Sequence, residues 1–432
     1  MDLLTHIGKK IIPRRVFSFF QPLYHWKLAL LGALFYRFPS RRIRVIAITG
    51  TKGKSSTAEF VNAIFEAAGH KTALASTIRF KIGDKSERNL FKMTMPGRFF
   101  IQKFLRNAVN AGCDTAVVEM TSEGARQSRH KFIDLDALIF LNLAPEHIES
   151  HGSYKKYVAA KLKLAEALQN SPKEKRVLIV NADDKEASRF LTYQIPEKIS
   201  FGLKNAEPYE ARSEGSAFSF QRAQISLQLP GAFSIYNAYA AAACAHAFGI
   251  SAEIIKKGLE SVKIIRGRAE AISSNKGFDV IVDYAHTPDS LRALYEAYPN
   301  KRKICVLGNT GGGRDTWKRP EMGGIAEKYC DEIILTNEDP YDEDPQKIID
   351  DMAAGMSIKK PKIVLDRREA IREAIKLAST LNPSAETDGS GTANNNNRIV
   401  VISGKGTDPY VMGPNGSKIP WDDASIVREE LE

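Results

Sequence analysis

A glycine-containing turn that could hold a phosphate stands near the start of the chain, in the stretch VIAITGTKGKSST over residues 45–57. Four of its first five residues are apolar and predict a buried strand. Gly50 and Gly53 let the backbone curl so that its N–H groups point inward, and the helix that follows directs its positive end at the same place. The pattern predicts a phosphate-binding loop, in which Lys54 reaches the terminal phosphates and Ser55 offers a hydroxyl to Mg²⁺.

The turn is shorter than the G-x-x-x-x-G-K-[ST] loop, because only two residues separate its glycines. The stretch GTKGKSST resembles the G-T-x-G-K-[ST]-[ST] loop of the Mur ligases and folylpolyglutamate synthetases, ATP-dependent enzymes that join an amine to a carboxylate. The resemblance implies ATP and Mg²⁺ as cofactors, and an acyl phosphate that forms when the carboxylate takes the γ-phosphoryl group. The implied nucleotide contacts of the loop are Gly50, Thr51, Gly53, Lys54, Ser55 and Ser56.

Three further side chains resemble the catalytic set of these enzymes. Glu119 ends the predicted strand TAVVEM, His147 lies in NLAPEHIESHGS, and Lys161 lies in YKKYVAAKLKL, which is similar to the family's Y-x-x-A-K helix. The resemblance implies that a magnesium ion is held by Ser55, Glu119, His147 and, once carbamylated by CO₂, Lys161. Lys54 completes the implied catalytic set. An ordinary strand-end carboxylate, a structural histidine and a surface lysine are the alternative interpretations.

Three later motifs resemble the rest of the nucleotide site. GAFSIYN matches G-x-F-x-x-x-N, which implies that Asn237 contacts adenine, and RGRAE resembles a G-R-x-E segment whose Arg268 would reach the phosphates. VIVDYAHTPDSL is the sharpest match: Asp283 is implied to bind ribose, with Tyr284 and His286 lining the pocket. This last motif separates Mur ligases from the folate enzymes, which resemble D-x-A-H-N-P instead.

Within the family, three segments resemble the MurE-type branch, which adds a diamino acid to the D-Glu of a muramoyl dipeptide. They are GGGRDTWKRPEMG, TNEDPYDEDP and SGKGTDPY. The implied amino-acid site consists of Arg314, Glu338, Asp339, Tyr341, Gly404 and Asp408. Arg314 suits a carboxylate, because a guanidinium binds one through two hydrogen bonds. The acids favour a substrate with a second amino group, and diaminopimelate, lysine and ornithine remain open.

Two segments, KMTMPG and EMTSEGARQSRH, resemble the family's acceptor motifs. The resemblance implies that the anionic groups of a muramoyl-peptide acceptor are held by Thr94, Ser122, Gln127 and Arg129. Polar groups at these places could instead cap helices. The predicted function is an ATP-dependent carbon–nitrogen ligase of peptidoglycan precursor synthesis. The alternatives are a Mur-like ligase with a lipid-linked, folate-type or other peptide acceptor, and a catalytically idle subunit that retains the fold.

The elements that must position these residues alternate between β and α patterns, which is typical of a parallel sheet covered by helices. The predicted strands are Val45–Thr49, Thr115–Glu119, Leu138–Leu143, Val177–Asn181, Val280–Asp283, Ile304–Leu307, Ile333–Thr336, Ile363–Leu365 and Ile399–Ile402. We predict an α/β fold with a basic aromatic helical arm over residues 1–43, a P-loop central domain with a mostly parallel sheet over 44–266, and a Rossmann-like C-terminal domain over 267–432. The stretch NPSAETDGSGTANNNN predicts a solvated loop.

The formal charge of +11 is concentrated at the N-terminus, where residues 1–54 contain eleven Lys and Arg and a single acid, Asp2. This argues against a nucleic-acid groove spread over the fold and for an arm that faces something anionic. The longest apolar run of the arm, Leu28–Tyr36, is about half of what a membrane-spanning helix needs. Two interpretations remain: a helix packed on the next domain, and residues 1–44 in peripheral contact with the inner face of an anionic membrane.

The cysteines bear on the compartment. Cys113, Cys244, Cys305 and Cys330 form no C-x-x-C pair and have no histidine spacing typical of zinc. They predict reduced thiols and a cytoplasmic enzyme, which we expect to be a monomer. Forty-nine residues precede Gly50, fewer than the MurE-type branch places there, so its N-terminal UDP-binding domain is expected to be lacking.

Overall fold

The computed structural model describes residues 14–380 and 397–432, with the side chains of the first helix from Phe20 onward. The loop predicted at NPSAETDGSGTANNNN lies outside the described residues except for Asn397. The contacts between residues divide the chain into two compact units. Of the described residues, the first unit holds 14–143, 155–201 and 240–251, and the second holds 144–154, 202–239, 252–380 and 397–432.

The first unit is built on an eight-stranded sheet. Its strands are β1 Arg44–Thr49, β2 Thr72–Ala75, β3 Arg79–Ile82, β4 Lys85–Arg88, β5 Thr115–Glu119, β6 Ala137–Phe140, β7 Val177–Asn181 and β8 Glu197–Phe201. The strand order is β4-β3-β2-β5-β1-β6-β7-β8, with parallel pairing except between β2, β3 and β4. Ile48 of β1 lies opposite Glu119 of β5, so the residues that follow both strands emerge at the same sheet edge.

The strands of the second unit form a six-stranded, a three-stranded and a two-stranded sheet. They are β9 Glu210–Ala211, β10 Ser216–Phe220, β11 Ala223–Leu227, β12 Glu270–Ser273, β13 Asp279–Val282, β14 Arg302–Leu307, β15 Glu332–Leu335, β16 Lys362–Ile363, β17 Arg398–Ile402, β18 Tyr410–Met412 and β19 Lys418–Pro420. The six-stranded sheet has the order β12-β13-β17-β14-β15-β16 and is parallel except for β12. The predicted α/β class with mostly parallel sheets is therefore confirmed.

Helices connect the strands in both units. In chain order they are α1 Arg14–Phe35, α2 Lys54–Ala67, α3 Arg98–Asn110, α4 Ser122–Arg126, α5 Ile148–His151, α6 Tyr154–Gln169, α7 Ala187–Leu191, α8 Ala232–Ala247, α9 Ala252–Ser261, α10 Pro288–Glu296, α11 Lys318–Tyr329, α12 Pro345–Ala353, α13 Arg367–Thr380 and α14 Asp423–Leu431. In the second unit, α10, α11 and α12 contribute to an apolar core on one face of the six-stranded sheet, and α13 and α14 to a core on the other. Cores on both faces define a doubly wound sheet, as the Rossmann-like prediction required.

The first helix packs on α3 through small residues. Ala29 and Ala33 are buried, and the Nε and Nη2 atoms of Arg106 donate to the carbonyl oxygen of Tyr36 at 2.9 and 2.7 Å. The packed helix that the sequence offered as one interpretation is observed. In the part of the chain that the structure describes, no helix has both the length and the apolar character needed to cross a bilayer.

Several elements differ from the sequence prediction. Strands β2, β3, β4, β8 to β12, β18 and β19 were not predicted, β6 ends at Phe140 rather than Leu143, and β16 spans Lys362–Ile363 rather than Ile363–Leu365. These strands are short, and several of them, such as β4, β12 and β16, lie at sheet edges. β2 pairs with the distant strand β5, as between Thr72 and Thr115, and β3 and β4 pair in turn with β2 and with each other, so tertiary pairing overrides weak local signals.

The prediction of four reduced thiols is wrong for one pair. Cys305 in β14 and Cys330 just before β15 form a disulfide, with their Cα atoms 6.1 Å apart. The reason is the parallel pairing of β14 with β15, which brings together two residues separated by 25 positions. Cys113 and Cys244 are buried free thiols.

Candidate active site

The phosphate loop lies between β1 and α2, as the sequence predicts. Gly53 precedes α2 with φ 84°, a left-handed conformation that glycine adopts without steric cost. Residue 50 has little room for a side chain, because a Cβ atom there would lie 3.0 Å from Cβ of Leu141 and 3.1 Å from the carbonyl oxygen of Lys52. The backbone N–H groups of Thr51 and Lys52 both donate to Asn142, at 2.9 Å each. The loop is thereby fixed against the residues that follow β6.

Two lysines converge on this loop. Nζ of Lys54 donates to the carbonyl oxygens of Gly50 and Thr51 at 2.9 Å each, and Nζ of Lys161 donates to the same Gly50 oxygen at 2.8 Å. Lys161 is only 2% exposed and lies over the ring of Tyr157, whose hydroxyl is 2.8 Å from Oγ1 of Thr51. The predicted catalytic residues Lys54 and Lys161 are therefore brought together, and they place two positive charges at a helix N-terminus.

Glu119 lies at the neighbouring strand end. It is completely buried, and its two carboxylate oxygens accept hydrogen bonds from the backbone N–H and the hydroxyl of Thr77, each at 3.0 Å. The Thr77 hydroxyl is also 2.7 Å from that of Thr94, a predicted acceptor residue. Sequence analysis missed Thr77, since it follows the unpredicted strand β2 and carries no motif. The structure thus links the strand-end carboxylate to the predicted acceptor site.

The oxygen donors at this edge suit magnesium. Residues 14–380 and 397–432 contain no group of three or more His, Cys, Asp or Glu side chains placed to hold a metal. Mg²⁺ is commonly bound through one or two protein oxygens together with phosphate oxygens and water, so the Ser55 hydroxyl and the Glu119 carboxylate are a fitting donor set. Lys161 as an ammonium donates hydrogen bonds and cannot ligate a metal. His147 falls in the second unit.

The remaining predicted acceptor residues surround α4. Ser122 begins this helix and is buried, and Thr121 caps the helix by accepting from the N–H of Gly124. Nη2 of Arg129 donates to Oε1 of Gln127 at 2.8 Å. Ser122, Gln127 and Arg129 therefore lie around one short helix that is separated from β5 by two residues.

In the second unit, the predicted metal ligand His147 precedes α5 with φ 57°. Its backbone N–H donates to Oδ2 of Asp315 at 2.8 Å, and that of Ile148 donates to Oδ1 at 3.1 Å. Beside it, Oε1 of Glu146 is 2.9 Å from Nε2 of His286, a predicted nucleotide contact. Asp315 was not singled out from the sequence, although it lies inside the GGGRD motif. It fixes the backbone that presents His147.

The other predicted nucleotide residues of this unit gather at the turn after Gly267. The guanidinium of Arg268 lies 4.5 Å from the ring centre of Tyr284, and the Asp283 carboxylate accepts from the N–H groups of Ala269 and Ala285 at 2.6 Å each. Asp283 thus holds the turn through both of its carboxylate oxygens. Asn237 is buried in α8.

The predicted amino-acid site contains a lysine that sequence analysis left unassigned. Nζ of Lys405, with no exposed surface, is 2.9 Å from Oδ1 of Asp339 and 3.1 Å from Oδ2 of Asp408. This ion pair offsets the acidity that the sequence suggested. The sequence did contain a signal for this lysine, because Lys405 lies inside the SGKGTDPY segment that resembles the MurE-type branch. The guanidinium of Arg314 lies 4.8 Å from the ring centre of Tyr341.

Glu338 and Gly404 are in close contact in the same region. A Cβ atom on Gly404, which has φ 109°, would collide with Oε2 of Glu338, so a side chain at residue 404 would displace this carboxylate. Oε1 accepts from the hydroxyl of Thr310 at 2.8 Å. Burial, and then the charge of Asp339, raise the pKa of Glu338 above its ordinary value.

Comparison with known proteins identifies the class. Residues 48–245 match the Mur ligase middle domain, and residues 267–406 match the domain described as Mur ligase, glutamate ligase domain. UDP-N-acetylmuramoyl-L-alanyl-D-glutamate--2,6-diaminopimelate ligase of Syntrophomonas wolfei subsp. wolfei is 36% identical over 420 residues, covering 94% of this chain and 81% of the relative. The protein of that name from Halalkalibacterium halodurans is 33% identical over 416 residues, covering 94% and 82%. The chain belongs to the Mur ligase family.

Solved structures agree with this fold. Folylpolyglutamate synthase of Mycobacterium tuberculosis, complexed with ADP and AMPPCP, has a TM-score of 0.71 at 17% identity, covering 88% of this chain and 93% of that one. A UDP-N-acetylmuramoyl-L-alanyl-D-glutamate--2,6-diaminopimelate ligase has a TM-score of 0.61 at 24% identity, covering 94% and 82%. The predicted family, its MurE-type branch, and the predicted class of enzyme, an ATP-dependent ligase, are confirmed.

Proposed function

We propose that this ligase forms an amide bond between the D-Glu carboxylate of a muramoyl-L-Ala-D-Glu acceptor and an amino group of a diamino acid, through an acyl phosphate. The observation that carries the proposal is the convergence of Lys54 and Lys161 on the Gly50 carbonyl, one strand away from Glu119. The relatives named above add 2,6-diaminopimelate, which is a diamino acid.

The first unit would activate the acceptor. Lys54 would hold the terminal phosphates, together with backbone N–H groups between Gly53 and Ser56 at the start of α2. Ser55 and Glu119 would hold Mg²⁺, which neutralises charge between the carboxylate and the phosphoryl group. We assign His147, and Lys161 once carbamylated, to the same metal site on family resemblance.

The second unit would supply the nucleotide and amino-acid contacts assigned from the sequence. Asn237, Arg268, Asp283, Tyr284 and His286 would contact the nucleotide. The residues proposed to bind the diamino acid are Arg314, Glu338, Asp339, Tyr341, Gly404 and Asp408. Since Lys405 already pairs with Asp339 and Asp408, the second amino group of the substrate would have to share these carboxylates with it.

The proposed organisation is a monomer in the cytoplasm, with a central ATP-binding domain over residues 44–266 and a C-terminal domain over 267–432. Thr94, Ser122, Gln127 and Arg129 would bind the acceptor. Support comes from the hydrogen bond of Thr94 to Thr77, which itself binds Glu119.

We also propose peripheral contact between residues 1–44 and an anionic membrane. The face of α1 turned away from α3 carries exposed apolar side chains, with Phe35 74% exposed, and the adjoining sequence is rich in Lys and Arg. The exposed side chains are Phe20, Leu23, Tyr24, Leu31, Leu34 and Phe35.

Co-sedimentation of the whole chain with liposomes tests this contact. The chain should bind anionic liposomes at low salt and lose binding when Leu31, Leu34 and Phe35 are replaced by Ser. Ser at Ile358 and Ile419, which are exposed in the second unit, is the matched control and should leave binding intact. Absence of binding by the unmodified chain would end the proposal.

The reaction is tested by phosphate release from ATP, with each combination of acceptor and amino acid. Nucleotide-linked and lipid-linked muramoyl dipeptide should be screened against diaminopimelate, lysine and ornithine. Release that requires both an acceptor and a diamino acid is expected. If no combination releases phosphate, the protein is instead a catalytically idle subunit that retains the fold.

A further inference from the structure

A group of three arginines and a histidine lies where α1, α3 and the end of α4 meet; we call it the arginine cluster and define it as His25, Arg98, Arg126 and Arg129. Nε of Arg98, the first residue of α3, donates to the carbonyl oxygen of Gln127 at 2.9 Å. Its Nη2 contacts Nδ1 of His25 in α1. All four residues belong to the first unit.

Positive charge predominates in the described part of the cluster. The largest charge effects on His25 come from the three arginines, followed by that of one acid, Glu123. This carboxylate accepts from Nη2 of Arg126 at 2.6 Å. Burial, and then the charge of Arg129, lower the pKa of Arg98 to about 10. The guanidinium groups therefore repel one another, and an anion among them would relieve that repulsion.

Hydrogen-bonding capacity in the cluster is also unused. Nε2 of His25 and Nε of Arg129 are buried and make no hydrogen bond with the described residues. Buried polar atoms without partners are costly, and charged donors form their strongest hydrogen bonds with anions. Both the positive charge and the unused hydrogen-bond donors of the cluster therefore favour the binding of an anion.

The cluster is connected to the phosphate-loop edge. From Glu119, hydrogen bonds run through Thr77 to Thr94, and Arg129 contacts the carbonyl oxygen of Met95, the next residue. The acceptor of the proposed reaction has a matching order: the reacting D-Glu carboxylate, the peptide, the sugar, and then a diphosphate that leads to a nucleotide or a lipid. The arginine cluster lies at the end of the contacts that start at Glu119, as the diphosphate lies at the end of the acceptor away from the reacting carboxylate.

We infer that the arginine cluster binds the diphosphate of the acceptor, an inference that rests on the proposed function. Arg98 and Arg126 contribute charge beyond the acceptor residues that motifs identified, and His25 orients Arg98 from α1. Three arginines and a histidine of this kind match a diphosphate, whose paired anionic oxygens accept several hydrogen bonds, those from the arginines being charge-assisted.

The test is steady-state kinetics of the whole chain with three acceptors: UDP-linked muramoyl dipeptide, lipid-diphosphate-linked muramoyl dipeptide in detergent, and muramoyl dipeptide without a diphosphate. Arg98→Gln should raise the KM for diphosphate-bearing acceptors about tenfold or more with kcat nearly unchanged. Arg98→Lys should recover part of the loss. Arg106→Gln, which removes the other arginine contact between α3 and the α1 segment, is the control and should leave KM unchanged.

The outcomes separate the alternatives. A KM increase confined to the nucleotide-linked or to the lipid-linked acceptor identifies which source of diphosphate the enzyme uses. An equal increase with the acceptor that lacks a diphosphate, or no increase at all, overturns the inference. Lost kcat in Arg98→Lys with a lowered melting temperature would mark a structural role and also overturn it.

A second measurement stands apart from turnover. Pyrophosphate should be titrated calorimetrically into the Lys54→Ala chain, whose phosphate loop is weakened, with and without Arg98→Gln. Binding should weaken at least about tenfold when Arg98→Gln is added. If no acceptor is turned over but this difference is seen, the proposed function fails and the anion site stands; equal binding by both chains refutes the site.

Discussion

In the phosphate loop of the first unit, the ammonium groups of Lys54 and Lys161 donate to backbone carbonyl oxygens, whereas in the second unit Lys405 donates to the carboxylates of Asp339 and Asp408. A carbonyl oxygen carries a partial charge, so an arriving phosphate can compete for the ammonium groups. A carboxylate carries a full charge and holds its lysine in place.

The difference indicates two uses of a lysine that is wholly or partly shielded from solvent. Lys54 and Lys161 keep positive charge at a place where a polyanionic ligand arrives, as at other helix N-termini that bind phosphate. Lys405 instead balances two acids that would otherwise be buried without a counter-ion. The first use predicts an effect of mutation on catalysis, and the second predicts an effect on stability.

The largest expected effect is on the phosphate loop. Lys54→Ala should lower kcat about 10³-fold, because it removes a charged donor from the phosphoryl group in a site with little water. Phosphate release under saturating ATP measures this, and the melting temperature should change little. Lys163→Ala, an exposed lysine on the same helix as Lys161, is the control. Near-normal turnover by Lys54→Ala would contradict the assignment of the loop.

A stability effect is expected in the second unit. Lys405→Met should lower the free energy of unfolding by about 3–5 kcal/mol, because two carboxylates stay buried after their partner is removed. Lys347→Met is the comparison, since Lys347 forms an exposed ion pair with Asp351 and should cost at most about 1 kcal/mol. Chemical denaturation measures both variants. Equal losses would show that Lys405 is not the counter-ion proposed.

The smallest expected effect is a change in pH dependence. Burial and the charge of Asp339 raise the pKa of Glu338, so the folded chain holds this proton more tightly than the unfolded chain does. Stability should then fall as pH rises from the ordinary value of 4.5 towards the raised value. Glu338→Gln removes this decline. The free energy of unfolding of the variant, relative to that of the unmodified chain, should therefore increase with pH.

Denaturation at a series of pH values checks the last prediction. Glu321→Gln, at an exposed position in α11, should keep the pH slope of the unmodified chain. A Glu338→Gln chain with that same slope would show that the carboxyl group at residue 338 titrates normally.

Much of the fold could be predicted where the signal is local. The strands β5 and β7 have the predicted bounds, and β1 differs by one residue, because continuous apolar runs that end at polar turns mark buried parallel strands. The hairpin strands, the half-buried β3 and the mostly exposed edge strand β4, carry charged residues and give no such run. Their existence depends on pairing with β2, which depends in turn on β5.

The sequence by itself determined the phosphate loop and its place between a strand and a helix. The reason is that the glycine conformation, the helix N-terminus and the lysine all lie within one short stretch. Only the tertiary structure decided that Thr77 binds Glu119, that Lys405 separates two acids, that Cys305 meets Cys330, and that His25 joins Arg98. These contacts join residues brought together by strand pairing and helix packing, and no local pattern encodes such proximity.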